Sequence, residues 1–379
     1  MLEYLSIVLG SVFLWSTLVV AAGLAAGMFR RRRETAAEPP QLRFACVICA
    51  HNEERVITRP LKSILAADYP ENLIRVFVFA DNCSDETAAR ARAVPGVEVL
   101  EKSTASSGKG DVLHWGLDRI DRDNFDAIAV FDADNEVDAK WFVEIERELR
   151  TGSPVATGHR MSSNPFVNVI TGWYTVYWNL MNELSNSVRS NLALSSMLTG
   201  TGFAFRTSVL PAEGWCTRTF VEDLEFALFR NLDGIRIAYV PDAVFYDEQP
   251  VRARAMIRQL NRWSTGGLQI LRYYSWRWFR ELCRRPGVRL FDALAVITLG
   301  VTGTLLLVNL IQLNWRFGVC LVVVSWASAL LSTALSRYSV RALALPIILF
   351  PVFTLVLSYT VAFSLVCPQR RWKPIAHGQ

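Results

Sequence analysis

A mixed α/β domain with a mainly parallel sheet, flanked by transmembrane and interfacial helices, is the fold class this sequence predicts. Three observations lead there. Strand and helix signals alternate from residue 42 to about 245, the pattern of a sheet assembled from strand–helix–strand units. Residues 5–28 carry no charge and are long enough to cross a bilayer. The 379 residues are 51% hydrophobic and 20% charged, with a net charge of +5. That is too apolar for an ordinary cytosolic enzyme and too charged for a chain that spans a membrane throughout.

The elements follow in order. The apolar stretch 5–28 reads as a transmembrane helix within an N-terminal segment, 1–33. A signal peptide would carry its basic residues ahead of the apolar run, whereas the arginines of "FRRRRE", 29–34, follow it. Basic residues stay on the cytoplasmic side, so the N-terminus is expected outside the cell membrane and the next domain inside. A short linker, "ETAAEPPQ", leads into a catalytic domain expected over 42–250. "RFACVICA" is an apolar strand, followed by a helix from about Glu53 to Ala66. "IRVFVFA" is a second strand, ending at Asp81, and "DNCSDETAARARA" a helix with Ser84 as its N-cap. "DAIAVFDAD" is a third strand. Parallel sheets bind ligands beyond the carboxyl ends of their strands. His51, Asn52, Asp81, Asp132 and Asp134 all fall at such ends.

After 250 the character changes. Residues 251–290 mix arginine with Trp, Tyr and Leu, as in "RYYSWRWFRELCRR", and predict amphipathic helices lying in the membrane interface. Apolar spans are expected near 291–313, 317–336 and 343–366, ahead of a basic tail, 367–379. One span before the domain and three after it would place the tail outside, while its basic residues argue for the inside. One C-terminal segment is therefore re-entrant or interfacial. The basic runs sit beside apolar ones, which suits anionic lipid heads better than nucleic acid.

Seven cysteines are scattered through the chain. Cys46 and Cys49 form C-x-x-C, but within a strand a spacing of three puts them on opposite faces. They read as small core residues in a reducing compartment.

Four stretches carry chemistry. In "IAVFDADNEVD" an apolar strand ends in Asp132, Asp134, Glu136 and Asp138. A calcium-binding EF-hand loop counted from Asp132 would need Gly and Glu where Val137 and Val143 stand. A phosphohydrolase-type nucleophilic aspartate, a divalent metal beneath a nucleotide diphosphate, and a solvated strand end all remain open. In "TRTFVEDLEFALF", 217–229, Glu222 and Asp223 precede an apolar-periodic helix; acids at a helix N-terminus are also favoured by the dipole alone. In "RQLNRWSTGG", 258–267, Gln259, Arg262 and Trp263 share one helix face. An arginine fork suits phosphate and an indole suits a sugar ring, although snorkelling and anchoring in an interface explain the same residues. "SSGKGD", 106–111, lacks the glycine and hydroxyl of a Walker motif, yet presents one lysine ahead of a helix.

The joint order of these motifs resembles the membrane-bound family 2 glycosyltransferases, the group containing cellulose, chitin, hyaluronan and poly-N-acetylglucosamine synthases. The resemblance covers roughly 42–275. It rests on "AHNEE" (50–54), "FADNCSDET" (79–87), "GKGDVLHWGL" (108–117), "FDADNEV" (131–137), "GTGFAFR" (200–206), "VEDLEFAL" (221–228), "PDAVFYDEQP" (241–250) and Q-x-x-R-W (259–263). It implies a GT-A, Rossmann-like domain that binds a UDP-sugar. Asp81 would contact the uracil or ribose, near Ala50, His51 and Glu53, with Lys109 near the diphosphate. Asp132 would complete the nucleotide site and Asp134 would be the direct ligand of Mg²⁺ or Mn²⁺, with Asp132 beside it. Asp223, preceded by Glu222, would be the general base. Gln259, Arg262 and Trp263 would line the diphosphate and acceptor end. Glu136 and Asp138 are expected to cap the following helix or face solvent.

There are departures from the family's pattern. Val221 stands where the family has Thr, "QLNRW" lacks a second basic residue, and the chain lacks the longer bundle of spans that forms a polymer channel. The expected activity is inverting transfer of a sugar to a membrane-associated glycan or glycolipid. Single-sugar transfer to polyprenyl phosphate and a non-catalytic membrane assembly subunit are the alternatives.

Overall fold

The structure is a computed structural model and describes residues 2–29, 39–298 and 315–369. The chain divides into two compact units. Of the described residues, one combines 39–163 and 197–248; the other combines 2–29, 164–196, 249–298 and 315–369. The sequence reading set no division inside 42–250. Helices are numbered in chain order: α1 (Leu2–Phe29), α2 (Thr58–Leu65), α3 (Thr87–Arg92), α4 (Lys109–Leu117), α5 (Trp141–Thr151), α6 (Val169–Asn179), α7 (Val188–Asn191), α8 (Glu222–Leu232), α9 (Ala253–Arg284), α10 (Trp315–Leu335), α11 (Ala344–Ile348) and α12 (Phe350–Val366).

The first unit is built on an eight-stranded sheet. Its strands are β1 (Phe44–Ala50), β2 (Ile74–Asp81), β3 (Val97–Lys102), β4 (Ala127–Asp132), β5 (Glu136–Val137), β6 (Val155–Ser162), β7 (Phe203–Arg206) and β8 (Ile237–Asp247). They lie in the order β3-β2-β1-β4-β7-β6-β8-β5. β3, β2, β1 and β4 run parallel, β6 runs parallel to β8, and the β4–β7, β7–β6 and β8–β5 pairs are antiparallel. The sheet is thus mixed, with its parallel half carrying the motif-bearing strand ends. Both faces are buried, which is why the central strands read as continuous apolar runs. Cys46 belongs to the core on one face and Cys49 packs against the core on the other. Burial pushes both thiols up, away from the reactive thiolate.

Three local expectations change. The helix after β1 starts at Thr58, not Glu53, because residues 54–57 turn first. Ser84 is not an N-cap: α3 begins at Thr87 after Glu86, without a side-chain cap, and the Ser84 amide instead donates to Asn52 Oδ1 at 2.8 Å. Strand β3 went unread because "VEVLEK" lies at the sheet edge, where Glu98 and Glu101 are exposed and break the apolar signal.

The second unit is helical. α6, α9, α10, α11 and α12 share one apolar core around Tyr174, Leu260, Ala329, Ile347 and Phe353. α1 closes on α7 through small residues: a Cβ placed on Gly23 would lie 2.5 Å from Val188 Cβ. Trp15 Nε1 donates to Asp292 at 3.0 Å, and Asp292 is ion-paired with Arg189 at 2.9 Å. Among the described residues one helix, Gly10–Gly27, is long and apolar enough to cross a membrane; Val322–Leu335 and Phe350–Val366 are shorter apolar helices. The stretch 343–366 is not one helix, since α11 ends at Ile348 and α12 opens with Pro351 in its first turn. Ala253–Arg284 form one long helix, α9. The remainder of the expected 291–313 span beyond 298, the run 30–33 and the tail from 370 lie outside the described residues.

Candidate active site

The sheet places its polar residues where β1, β2 and β4 end side by side. Cys49 pairs with Asp132 across β1–β4, and Ala50 with Ala80 across β1–β2. His51 and Asp81 therefore emerge from adjacent strands, and His51 Nδ1 lies 2.6 Å from the Asp81 carbonyl. The chain leaves both strands through left-handed residues, Asn52 (φ 57) and Asn82 (φ 47). Asparagine tolerates that region better than other side chains because it hydrogen-bonds locally. The Glu53 amide donates to Thr87 Oγ1 at 2.7 Å and the Glu54 amide to Asp85 at 3.1 Å. Asp85 also accepts from the Thr87 amide at 3.0 Å. Burial alone would raise the Asp85 carboxyl, but these donors outweigh it and hold the carboxyl below its ordinary value.

Lys109 joins four motifs. It opens α4 after Gly108, whose φ of 135 is accessible to glycine alone. Its ammonium pairs with Asp132 and donates to the Gly200 carbonyl at 2.7 Å. Burial disfavours its charge, yet the carboxylates of Asp132 and Glu222 overcome this and hold the amine above its usual value. The D-x-D strand end, the G-K-G segment, the G-T-G loop and the V-E-D helix thus converge on one cation.

The turn after β4 is braced from beneath. The Asp132 amide donates to Asn135 Oδ1 at 3.0 Å and to Thr201 Oγ1 at 2.9 Å, and the Thr201 hydroxyl donates to Asn135. Asn135 donates to Asp247 at 3.0 Å, and Asp247 is paired with Arg160. Burial pushes the Asp247 carboxyl up to about 6 against the pull of Arg160, with Asp134 and Asp132 adding repulsion. Asn135, Thr201, Arg160 and Asp247 are the residues that sequence reasoning missed as site partners. Asn135, Thr201 and Asp247 lie inside motifs already noticed, but nothing in their spacing reveals that they meet.

Asp134 is 5% exposed beneath this turn. Among the described residues no group of three or more His, Cys, Asp or Glu is assembled to hold a metal by protein ligands alone. Mg²⁺ and Mn²⁺ at phosphate sites need only one or two carboxylates. Asp134 and Asp132, in a crowded acidic setting that repels further negative charge, fit such an ion. The other two acids differ. Glu136 is exposed in β5, while Asp138 accepts from the Lys140 amide at 3.0 Å just ahead of α5.

Glu222, Asp223 and Glu225 are buried in the first turn of α8. Val221 makes no side-chain cap, and Glu225 ties the segment ahead of α8 to its first turn by accepting from the amides of Arg218 and Thr219 at 3.0 and 2.8 Å. α4 and α8 meet through Gly110: a Cβ there would lie 2.3 Å from Thr217 Oγ1 and 3.1 Å from Glu222 Cβ.

Gln259, Arg262 and Trp263 belong to the helical unit, on α9. Gln259 Oε1 and Arg262 Nε are buried and lack a hydrogen-bond partner among the described residues. Trp263 stacks on Tyr177 at 6.0 Å and meets Trp178 edge-on at 5.7 Å. Trp178 is in turn held by Gln249 at 3.1 Å.

The sequence profile described as Glycosyltransferase like family 2 matches residues 39–266. The chain belongs to this family. Among curated relatives, the probable glycosyltransferase YdaM of Bacillus subtilis is 24% identical over 65% of this chain and 60% of its own length. The beta-monoglucosyldiacylglycerol synthase of Trichormus variabilis is 28% identical over 74% of this chain and 60% of its own. The chain thus spans less than two thirds of these relatives. The mannosyltransferase PcManGT from Pyrobaculum calidifontis, solved with GDP-Man and Mn²⁺, superposes with a TM-score of 0.65 at 17% identity, covering 97% of this chain and 99% of that one. At that identity the likeness establishes a GT-A fold. The chain therefore carries a family 2 glycosyltransferase domain, and the strand-end cradle is its candidate active site.

Proposed function

We propose that this glycosyltransferase moves a sugar from a UDP-sugar to a membrane-associated glycolipid or glycan acceptor, inverting the donor to a β linkage. The observation that supports it most is the convergence on Lys109 of the D-x-D carboxylate Asp132 and the V-E-D acid Glu222. It joins the two acidic motifs of the family in one place. The synthase from Trichormus variabilis is named for a glucosylated diacylglycerol, and α9 runs directly from Q-x-x-R-W into an aromatic-basic half. Both support an acceptor at the membrane face, in an integral membrane protein whose catalytic unit lies in the cytoplasm.

In this reading His51, Glu53 and Asp81, with Ala50, hold the nucleoside, and Lys109 neutralises the diphosphate. Asp134, with Asp132, would hold Mg²⁺ or Mn²⁺, which when bound supplies positive charge against the departing nucleotide. Asp223 accepts the proton of the acceptor hydroxyl as that oxygen attacks the anomeric carbon from the face opposite the nucleotide. A single displacement inverts the centre without a covalent enzyme intermediate. Gln259, Arg262 and Trp263 serve the diphosphate and acceptor end. Polyprenyl phosphate, which needs little deprotonation, would make Asp223 matter less.

The test is Asp223→Asn assayed over a panel of UDP- and GDP-sugars, since PcManGT is solved with GDP-Man. Transfer is expected to fall by at least about a hundredfold, with nucleotide affinity nearly unchanged. Full transfer by the variant would remove Asp223 from the base role, and turnover restricted to GDP-sugars would overturn the donor assignment.

A further inference from the structure

We propose that the exposed face of the C-terminal half of α9 is a contact surface for anionic lipid headgroups. The juxtaposition that carries it is an aromatic pair set among arginines on the side of the helix turned away from the unit's own packing. Ile270, Tyr274 and Trp278 are buried at i, i+4 and i+8 and fix which side faces inward. The opposite side presents Trp276, 72% exposed, and Phe279, 58% exposed, with their rings stacked at 5.8 Å. Two large aromatics left in the open beside one another are costly in water and well suited to the boundary between headgroups and acyl chains. Arg272 and Arg280 are exposed and, at 100° per residue, fall on the same side as Trp276 and Phe279.

The balance of charge chooses the lipid. Residues 271–290 contain six arginines, at 272, 277, 280, 284, 285 and 289, against the single acid Glu281. Glu281 lies on the inward side and is paired with Arg285 at 3.3 Å. Among its own residues the outward face of this half of α9 therefore carries positive charge and no acid. A zwitterionic surface would satisfy the aromatics and leave that charge uncompensated; an anionic one matches both. Arginine reinforces the choice because its planar fork pairs bidentately with phosphate while its stem lies against apolar surface. The surface is separate from the acids and Lys109 of the sheet unit, so the inference does not rest on the transfer chemistry.

Cys283 is exposed on the same face and provides a probe site. In the full chain with Cys216 and Cys367 changed to Ser, Cys283 is labelled with an environment-sensitive fluorophore, and the protein is placed in phosphatidylcholine vesicles containing a minor share of phosphatidylglycerol. Quenching is compared when either the phosphatidylglycerol or an equal share of the phosphatidylcholine carries bromine. Brominated phosphatidylglycerol is expected to quench several times more strongly, because each arginine near an anionic surface shifts the local partition roughly fivefold. R272Q/R280Q should abolish that excess and high salt should weaken it, with R272K/R280K retaining most of it. Equal quenching by the two lipids would overturn the anionic preference. Quenching by neither would show that the face is covered by protein, and would overturn the proposal outright.

Discussion

Asp85 is a small case of chemistry decided by neighbours. It is an acid on a loop, and its carboxylate ties the turn after β1 to the start of α3 through the amides of Glu54 and Thr87. Its pKa is held down, so folding favours the ionised form. Its contribution is present above the ordinary carboxylate value of about 4 and is lost as pH falls through the lower folded value. The melting temperature of wild type should exceed that of Asp85→Asn at neutral pH, and the gap should close as the medium is acidified below about pH 4. A gap independent of pH would mean that shape, not charge, holds the loop. Thr201 makes the second case. Its hydroxyl serves both the Asp132 amide and Asn135, and it and Asn135 are fully buried. Thr201→Val keeps the volume but strips that partner, and should cost about 1–3 kcal/mol in chemical denaturation while raising the donor KM. Neither role was visible in sequence, where Ser84 looked the better cap and Thr201 was one letter of a glycine-rich motif.

At the scale of elements, the close approach of α4 to α8 matters most. Gly110 leaves no room for a Cβ against Thr217 and Glu222, so the helix carrying Lys109 and the helix carrying Asp223 are pressed together at their N-termini. Gly110→Ala should separate them, costing about 1–3 kcal/mol of stability and a larger share of kcat than of donor affinity. Thr217→Ala, which removes the nearest atom, should restore part of the lost turnover when combined with it. An unchanged kcat in Gly110→Ala would show that the spacing is not critical. Glycine in "GKGD" was legible as a flexible segment; that it is a contact point is a tertiary fact, since Thr217 lies more than a hundred residues away. Strand β3 teaches the converse. Its two outward glutamates disguise it, because an edge strand has no second neighbour to demand an apolar face.

At the scale of the molecule, the two units divide the labour. The sheet unit holds the D-x-D and V-E-D acids and Lys109, while the helical unit holds Q-x-x-R-W and, among the described residues, the one helix long and apolar enough to cross a membrane. A divalent ion and donor that bind only the folded sheet unit should raise its apparent stability by about 2.7 kcal/mol at a hundred times Kd. Adding Mn²⁺ and a UDP-sugar together should therefore raise the melting temperature more than either alone, and a chelator should remove both the shift and the transfer. Transfer undiminished after chelation and dialysis would exclude a metal-assisted reaction.

The sequence by itself determined the family, the strand ends, the acids of D-x-D and V-E-D, and the apolar N-terminal helix. These depend on local periodicity and on short motifs whose spacing is itself the signal. It could not reveal the antiparallel half of the sheet, the grouping of 164–196 with the C-terminal helices, or the brace of Thr201, Asn135, Asp247 and Arg160. Each of those depends on residues far apart in the chain meeting in a buried place. There the cost of leaving a polar group unpaired, and not any local preference, selects the partner.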